Sequence, residues 1–187
     1  MANFQEAFQQ MRGIEYSNPT DVLHHNRKER GLTYWGIYET AHEHWEGWEF
    51  VYAMLKKHKG DLRQASIACV ANDQTMESVK DFYIKEFWHP LNLNIVESQK
   101  IAEEMFFFYM NTGNKRKTVK MAQLIVGAKA DGFIGIETIT KLNAYDDVKF
   151  DREYDLKELE FYGRLVQSNF KRYGLNLVGW IRRAMRI

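Results

Sequence analysis

Ser98-Gln99-Lys100-Ile101-Ala102-Glu103-Glu104-Met105-Phe106-Phe107-Phe108-Tyr109-Met110-Asn111-Thr112-Gly113 is the stretch that decides the fold class. Ile101, Ala102, Met105, Phe108 and Tyr109 recur at the spacing that lines one face of an α-helix, which predicts a helix over residues 98 to 110. Asn111-Thr112-Gly113 ends it. The densest apolar run, Met105 to Met110, is far shorter than the ~20 residues a membrane-crossing helix needs. It reads as a core helix, and no membrane insertion is expected.

The same periodicity continues outward in both directions, and Pro19 and Pro90 are the only prolines. Helices are expected at residues 46 to 57, 62 to 70 with Asp61 as cap, 75 to 88 closed by His89-Pro90, 117 to 126 and 137 to 142. Phe4, Ala7, Phe8 and Met11 mark an opening helix that Gly13 can end, leaving Glu15 just beyond it. Asp155 and Glu158 have the spacing of a capping pair for a helix reaching residue 173, with Gly174 turning the chain into a last segment around Trp180. Residues 17 to 32 read as an irregular loop. The expected fold is therefore mainly α, with a region over 1–113 and a smaller helical region over 114–187 packed on it.

Composition narrows the function classes. The 187 residues are 45% hydrophobic and 27% charged, enough for a globular core, and 26 Lys+Arg against 25 Asp+Glu give a net charge of only +1. No overall field draws the molecule to nucleic acid or to an acidic membrane. The basic clusters at Lys56-Lys57-His58-Lys59, Lys115-Arg116-Lys117 and Arg182-Arg183-Ala184-Met185-Arg186 read as solvated helix faces, although they keep a nucleic-acid-binding reading open. Cys69 is the single cysteine, which rules out an internal disulfide and a cysteine zinc site; its apolar neighbours point to a buried thiol. His24-His25 and His42-x-His44 lack the i, i+4 spacing and nearby glutamate of a hydrolytic zinc helix, so no metal and no cofactor are expected. The first residues lack a basic start followed by an apolar stretch, so synthesis without a signal peptide is expected.

The chemistry concentrates near the start. Glu15 is followed, one loop later, by the aromatic turn Thr33-Tyr34-Trp35-Gly36-Ile37. A carboxylic acid beside apolar walls can stay protonated near neutral pH and protonate the leaving oxygen of a glycosidic bond. Asp21 is the nearest second carboxylate in sequence. Thr33 can instead orient a water, and Tyr34 and Trp35 can stack on sugar rings. Each also has a plainer reading: Asp21 and Thr33 as turn and capping residues, Tyr34 or Trp35 as core.

These elements, with others along the chain, resemble glycoside hydrolase family 108, the N-acetylmuramidases of phages and prophages. Glu15 of Ile14-Glu15-Tyr16-Ser17 stands where the family has its catalytic glutamate, and Gly31-Leu32-Thr33-Tyr34-Trp35-Gly36-Ile37 is similar to the family's next element. Trp45-Glu46-Gly47-Trp48, Phe82 to Trp88, Asn111-Thr112-Gly113 and Gly179-Trp180-Ile181-Arg182-Arg183 follow in the family's order. Gln123-Leu124 and Asp131-Gly132-Phe133-Ile134-Gly135 with Thr138 are similar to a peptidoglycan-binding segment. The resemblance implies a lysozyme-like fold and a hydrolase of the β-1,4 bond between N-acetylmuramic acid and N-acetylglucosamine. Glu15 would be its general acid, Asn111 would reach the cleft, Asp131 would contact substrate, and glycan strands would be the partner. It further implies an endolysin that meets the wall after holin-type release or non-classical export. Tyr16 and Ser17 replace two family glycines, and Phe107 stands where the family often has an acid. A wall-binding protein without turnover therefore stays open beside the enzyme.

Overall fold

The structure, a computed structural model, describes residues 1–16, 18–25 and 30–185, and for Glu15 the backbone alone. The fold is mainly α and lysozyme-like, as expected, with one small sheet among the described residues. It divides into two compact units, Phe8–Lys85 and Met1–Ala7 together with Glu86–Ile187. The boundary expected after residue 113 thus falls inside the second unit.

The first helix, α1, spans Phe4–Glu15 and buries Ala7, Phe8 and Met11 on one face. Gly13 does not end it. The Tyr16 amide donates to the Arg12 carbonyl (3.2 Å), so the helical pattern passes through Gly13 and Glu15 is the last helical residue. In the Phe8–Lys85 unit, β1 (Leu23–His25), β2 (Leu32–Tyr34) and β3 (Ile37–Tyr38) form an antiparallel sheet in that order. Leu23 pairs with Tyr34, His24 with Thr33, and Thr33 again with Tyr38. β1 lies in the stretch expected to be loop. Three residues are too few to reveal a period of two, and β2 is buried at all three positions instead of alternating.

Three helices complete this unit: α2 (Gly47–Lys57), α3 (Leu62–Val70) and α4 (Asp73–Tyr83). Asp61 caps α3 as expected, accepting from the Gln64 amide at 3.0 Å, and Asn72 caps α4 through the Thr75 amide at 2.8 Å. Ser66 on α3 ties down the start of the sheet: its hydroxyl donates to the Pro19 carbonyl (2.6 Å) and accepts from the Leu23 amide (3.2 Å). Cys69, one turn on, is a buried free thiol.

The chain leaves α4 through a π-helical turn at Ile84–Trp88 and a 3-10 turn at His89–Leu91. Pro90 has no amide to continue the ladder, which explains the stop. In the second unit α5 (Gln99–Thr112) is capped by Ser98, ends at Gly113 in the left-handed region (φ +63°), and packs against α6 (Lys115–Val126) and α8 (Asp147–Ser168). These contacts make α5 part of this unit. α7 (Ile136–Asn143), α9 (Phe170–Tyr173) and α10 (Leu177–Ala184) complete it.

Asp155 and Glu158 are not caps. Asp146 begins α8 by accepting from the Lys149 amide (2.7 Å), which leaves Asp155 and Glu158 well inside the helix. Phe150, Tyr154, Glu158, Tyr162 and Val166, four residues apart, form its buried stripe. Glu158 is 2% exposed, and Glu104 on α5 is fully buried. Both Glu104 carboxylate oxygens, Asp155 Oδ1 and Glu158 Oε1 lack a hydrogen-bond partner among the described residues. Burial, reinforced by the neighbouring acids, raises Glu104 well above the ordinary carboxyl range and Glu158 to about 8.

Candidate active site

The sheet is centred on the hairpin Tyr34-Trp35-Gly36-Ile37, whose two loop residues both have positive φ, +49° at Trp35 and +70° at Gly36. That is the turn whose twist suits two antiparallel strands, and glycine fills its second position at no cost. Tryptophan in the first is strained by about 1–3 kcal/mol. Surrounding contacts hold it there. The Trp35 amide donates to the Val22 carbonyl (3.0 Å), and the Tyr83 hydroxyl donates to the Trp35 carbonyl (2.6 Å). The indole lies between Phe8, stacked at 5.6 Å, and Tyr16 at 4.4 Å.

Tyr16 links this hairpin to the end of α1. A Cβ added to Gly36 would meet the Tyr16 hydroxyl at 2.5 Å and the Tyr83 hydroxyl at 3.2 Å. Gly36→Ala is therefore expected to lower unfolding stability by about 2 kcal/mol, from positive-φ strain plus displacement of Tyr16. Urea unfolding measures it, and a change below about 0.5 kcal/mol would contradict this account of the hairpin.

The same geometry bears on one residue that departs from the pattern the resemblance implies. The resemblance sets Tyr16 at a glycine position, yet among the described non-glycine residues only Trp35, Lys59 and Asn92 have positive φ. Tyr16 needs no left-handed backbone, and its ring turns onto Trp35. Ser17 lies outside the described residues, as does the Glu15 side chain. The end of α1 that carries Glu15 borders a cleft of about 380 Å³ lined by Gln9, Arg12, Gly13, Tyr16, Pro19 and Val70.

The other residues singled out in the sequence are placed as follows. Asp21 is exposed on the loop before β1, where its carboxylate accepts from the Asn18 amide group (2.6 Å) and the Thr20 hydroxyl (3.0 Å). Thr33 is the middle residue of β2, 3% exposed, and its hydroxyl has no partner among the described residues. Tyr34 and Trp35 are fully buried. Their expected role in stacking on sugar rings is corrected by this packing: their faces are taken up by protein rings, Trp35 by Phe8 and Tyr16, Tyr34 by Trp45 at 6.2 Å.

Asn111 and Asp131 belong to the second unit. Asn111 is half-buried in the last turn of α5. Asp131 is a folding residue first: its carboxylate accepts from the Phe133 amide (2.9 Å) and from the side-chain amide of the buried Gln123 (3.1 Å). Those hydrogen bonds, the Phe133 one foremost, hold its carboxyl below the usual range. Gln123 also donates to Thr138 Oγ1 (3.1 Å) and accepts from the Gly132 amide (2.9 Å). The motif Gln123, Asp131-Gly132-Phe133, Thr138 is thus one polar knot, and it leaves Phe133 and Ile136 strongly exposed.

Sequence reasoning missed Glu39. Its Oε2 accepts from the Leu32 amide (2.7 Å), and the Tyr52 hydroxyl donates to its Oε1. Glu39 and Tyr52 line a second cleft with Arg30, Glu43 and Trp48, of about 370 Å³. The available signal was position: Glu39 directly follows the second strand of the hairpin, where a carboxylate can reach across the sheet.

Comparison with known proteins agrees with this architecture. Residues 21–113 match the Glycosyl hydrolase 108 family, a segment that begins after Glu15 and runs through the hairpin to the end of α5. No curated protein matches the chain. Among solved structures, the fold is similar to that of Brucella abortus SagA, with a TM-score of 0.58 and 18% identity over 97% of this chain and 93% of that one. Over residues 21–113, just under half of its length, the chain is thus similar to glycosyl hydrolase family 108.

Proposed function

We propose that the protein is a peptidoglycan hydrolase, an N-acetylmuramidase that cleaves the β-1,4 bond between N-acetylmuramic acid and N-acetylglucosamine, with Glu15 as general acid. The family match over 21–113 carries this reading. The position of Glu15 supports it: it ends a helix that Tyr16 anchors on an aromatic cluster, beside an open cleft. A poor leaving group must be protonated as the glycosidic bond breaks, and a carboxylic acid kept among apolar groups can retain the proton to do so.

Asp21 and Glu39 are the candidates for the second carboxylate. A separation of about 5–5.5 Å between the two acids favours retention, and about 6.5–9.5 Å favours inversion through an activated water. The Thr33 hydroxyl is buried within β2, which argues against the expected role of Thr33 in holding such a water. Phe133 and Ile136, exposed around the Gln123 knot, offer apolar contact to the wall, with Asn111 and Asp131 as further contacts. Hydrolysis by carboxylates requires no metal or organic cofactor. The enzyme acts on glycan strands once another component brings it to the wall.

Incubation with purified peptidoglycan tests this. New reducing ends on N-acetylmuramic acid, identified by mass analysis of the fragments, are the expected result. Wall binding without new reducing ends would replace the enzyme by a wall-binding protein.

A further inference from the structure

We infer that the C-terminal helices α9 and α10 form a docking surface for the anionic phospholipid face of a membrane. Two independent observations carry this, and neither depends on the proposed hydrolase activity. The first is charge segregation. All 25 acidic residues and 20 of the 26 basic ones lie in the first 160 positions, so the last 27 carry six basic residues and no acid. Residues 161–187 are therefore a strongly cationic segment of a nearly neutral chain.

The second is an apolar face that nothing among the described residues covers. α10 is held to α8 by its inner side, where Ala184 is buried and Trp180 stacks on Tyr162 at 4.9 Å. Its outer side presents Val178, Ile181 and Met185, spaced three and four residues apart and so on one face. Leu175, one turn before, is 98% exposed, and Phe170 on α9 is 76% exposed. Arg182 shares the outer face of α10, and Lys171 and Arg172 are exposed on α9. Arg183 instead feels Glu158 on α8.

An apolar stripe bordered by lysine and arginine is the pattern of a helix lying in a lipid headgroup layer. A polyanion such as nucleic acid would use the charges and leave five large apolar side chains in water. A bilayer rich in anionic lipid uses both. Among the described residues no helix is long and apolar enough to cross a membrane, so the contact is interfacial.

The full chain is tested by co-sedimentation with vesicles of phosphatidylglycerol and phosphatidylethanolamine, against vesicles of phosphatidylcholine alone. Binding is expected to the anionic vesicles, weakening as salt rises. Arg172→Gln with Arg182→Gln should weaken it by roughly 30-fold, at about 1 kcal/mol for each basic residue near the surface. Leu175→Ser with Val178→Ser should weaken it at least tenfold; both side chains are exposed, so the melting temperature should hold. Failure to bind anionic vesicles at low salt would overturn the proposal. So would binding that the apolar variant leaves unchanged, which indicates charge alone, or a concentration-dependent dimer that the apolar variant disperses in the absence of vesicle binding.

Discussion

Glu15→Gln is expected to reduce the release of reducing ends from peptidoglycan at least 100-fold while shifting the melting temperature by less than about 2 °C. Glutamine keeps the shape and hydrogen-bonding reach of glutamate but has no proton to give to a leaving sugar oxygen. General acid catalysis contributes about 10²–10⁴ in rate, roughly 2.7–5.5 kcal/mol of barrier. Stability should survive because α1 is held by Phe8, Met11 and Tyr16, which pack around Trp35 and in the core. The second carboxylate can be identified in the same assay. Whichever of Asp21→Asn and Glu39→Gln matches the loss in Glu15→Gln is the partner, and Glu39→Gln should also loosen the hairpin it braces through the Leu32 amide. Undiminished turnover by Glu15→Gln would remove Glu15 from the reaction.

The residues that were legible in the sequence share one property: their signal repeats. Leu62–Val70 was delimited because Asp61 caps it and its apolar residues recur helically, and α5 because its apolar face is long. The sheet was not legible, since its strands are three, three and two residues long. Its hairpin also depends on tryptophan in a conformation that no local preference favours, imposed by Phe8, Tyr16 and Tyr83 from distant parts of the chain. The roles of Tyr34 and Trp35 reversed for the same reason. Aromatic residues in a turn read equally well as a sugar platform or as core, and only the rings that cover them decide. Glu104 was legible in principle, because it stands three residues after Ile101 and four before Phe108, on the apolar face of its own helix. Glu158 stands likewise between Tyr154 and Tyr162. Glu104 gives no signal of its own because glutamate is so rarely buried without a partner, and the spacing of Glu158 from Asp155 reads instead as a capping pair.

That burial sets the pH dependence of stability. Glu158 is raised to about 8 by burial first and by Asp155 second, with Arg183 on α10 opposing. Asp155 is raised to about 6 by burial and then Asp151, against Lys100 on α5. Glu104 is raised by burial and by Glu158, Asp155 and Asp151. The folded protein thus keeps protons on these carboxyls in a range where the unfolded chain, with ordinary values near 4.5 for glutamate, has released them. A folded state that binds more protons than the unfolded one loses stability as pH rises. The contribution is fully present below about pH 4.5, falls between there and about pH 8, and is absent above. Glu158→Gln supplies a neutral side chain of the same shape, so it should match the wild type near pH 5 and exceed it by about 3 kcal/mol near pH 9. Urea unfolding across pH 5 to 9 reads this directly. A wild type whose stability holds level through the window, or a Glu158→Gln protein that declines in parallel with it, would mean that the carboxyls of α5 and α8 are ionised and solvated in the folded state.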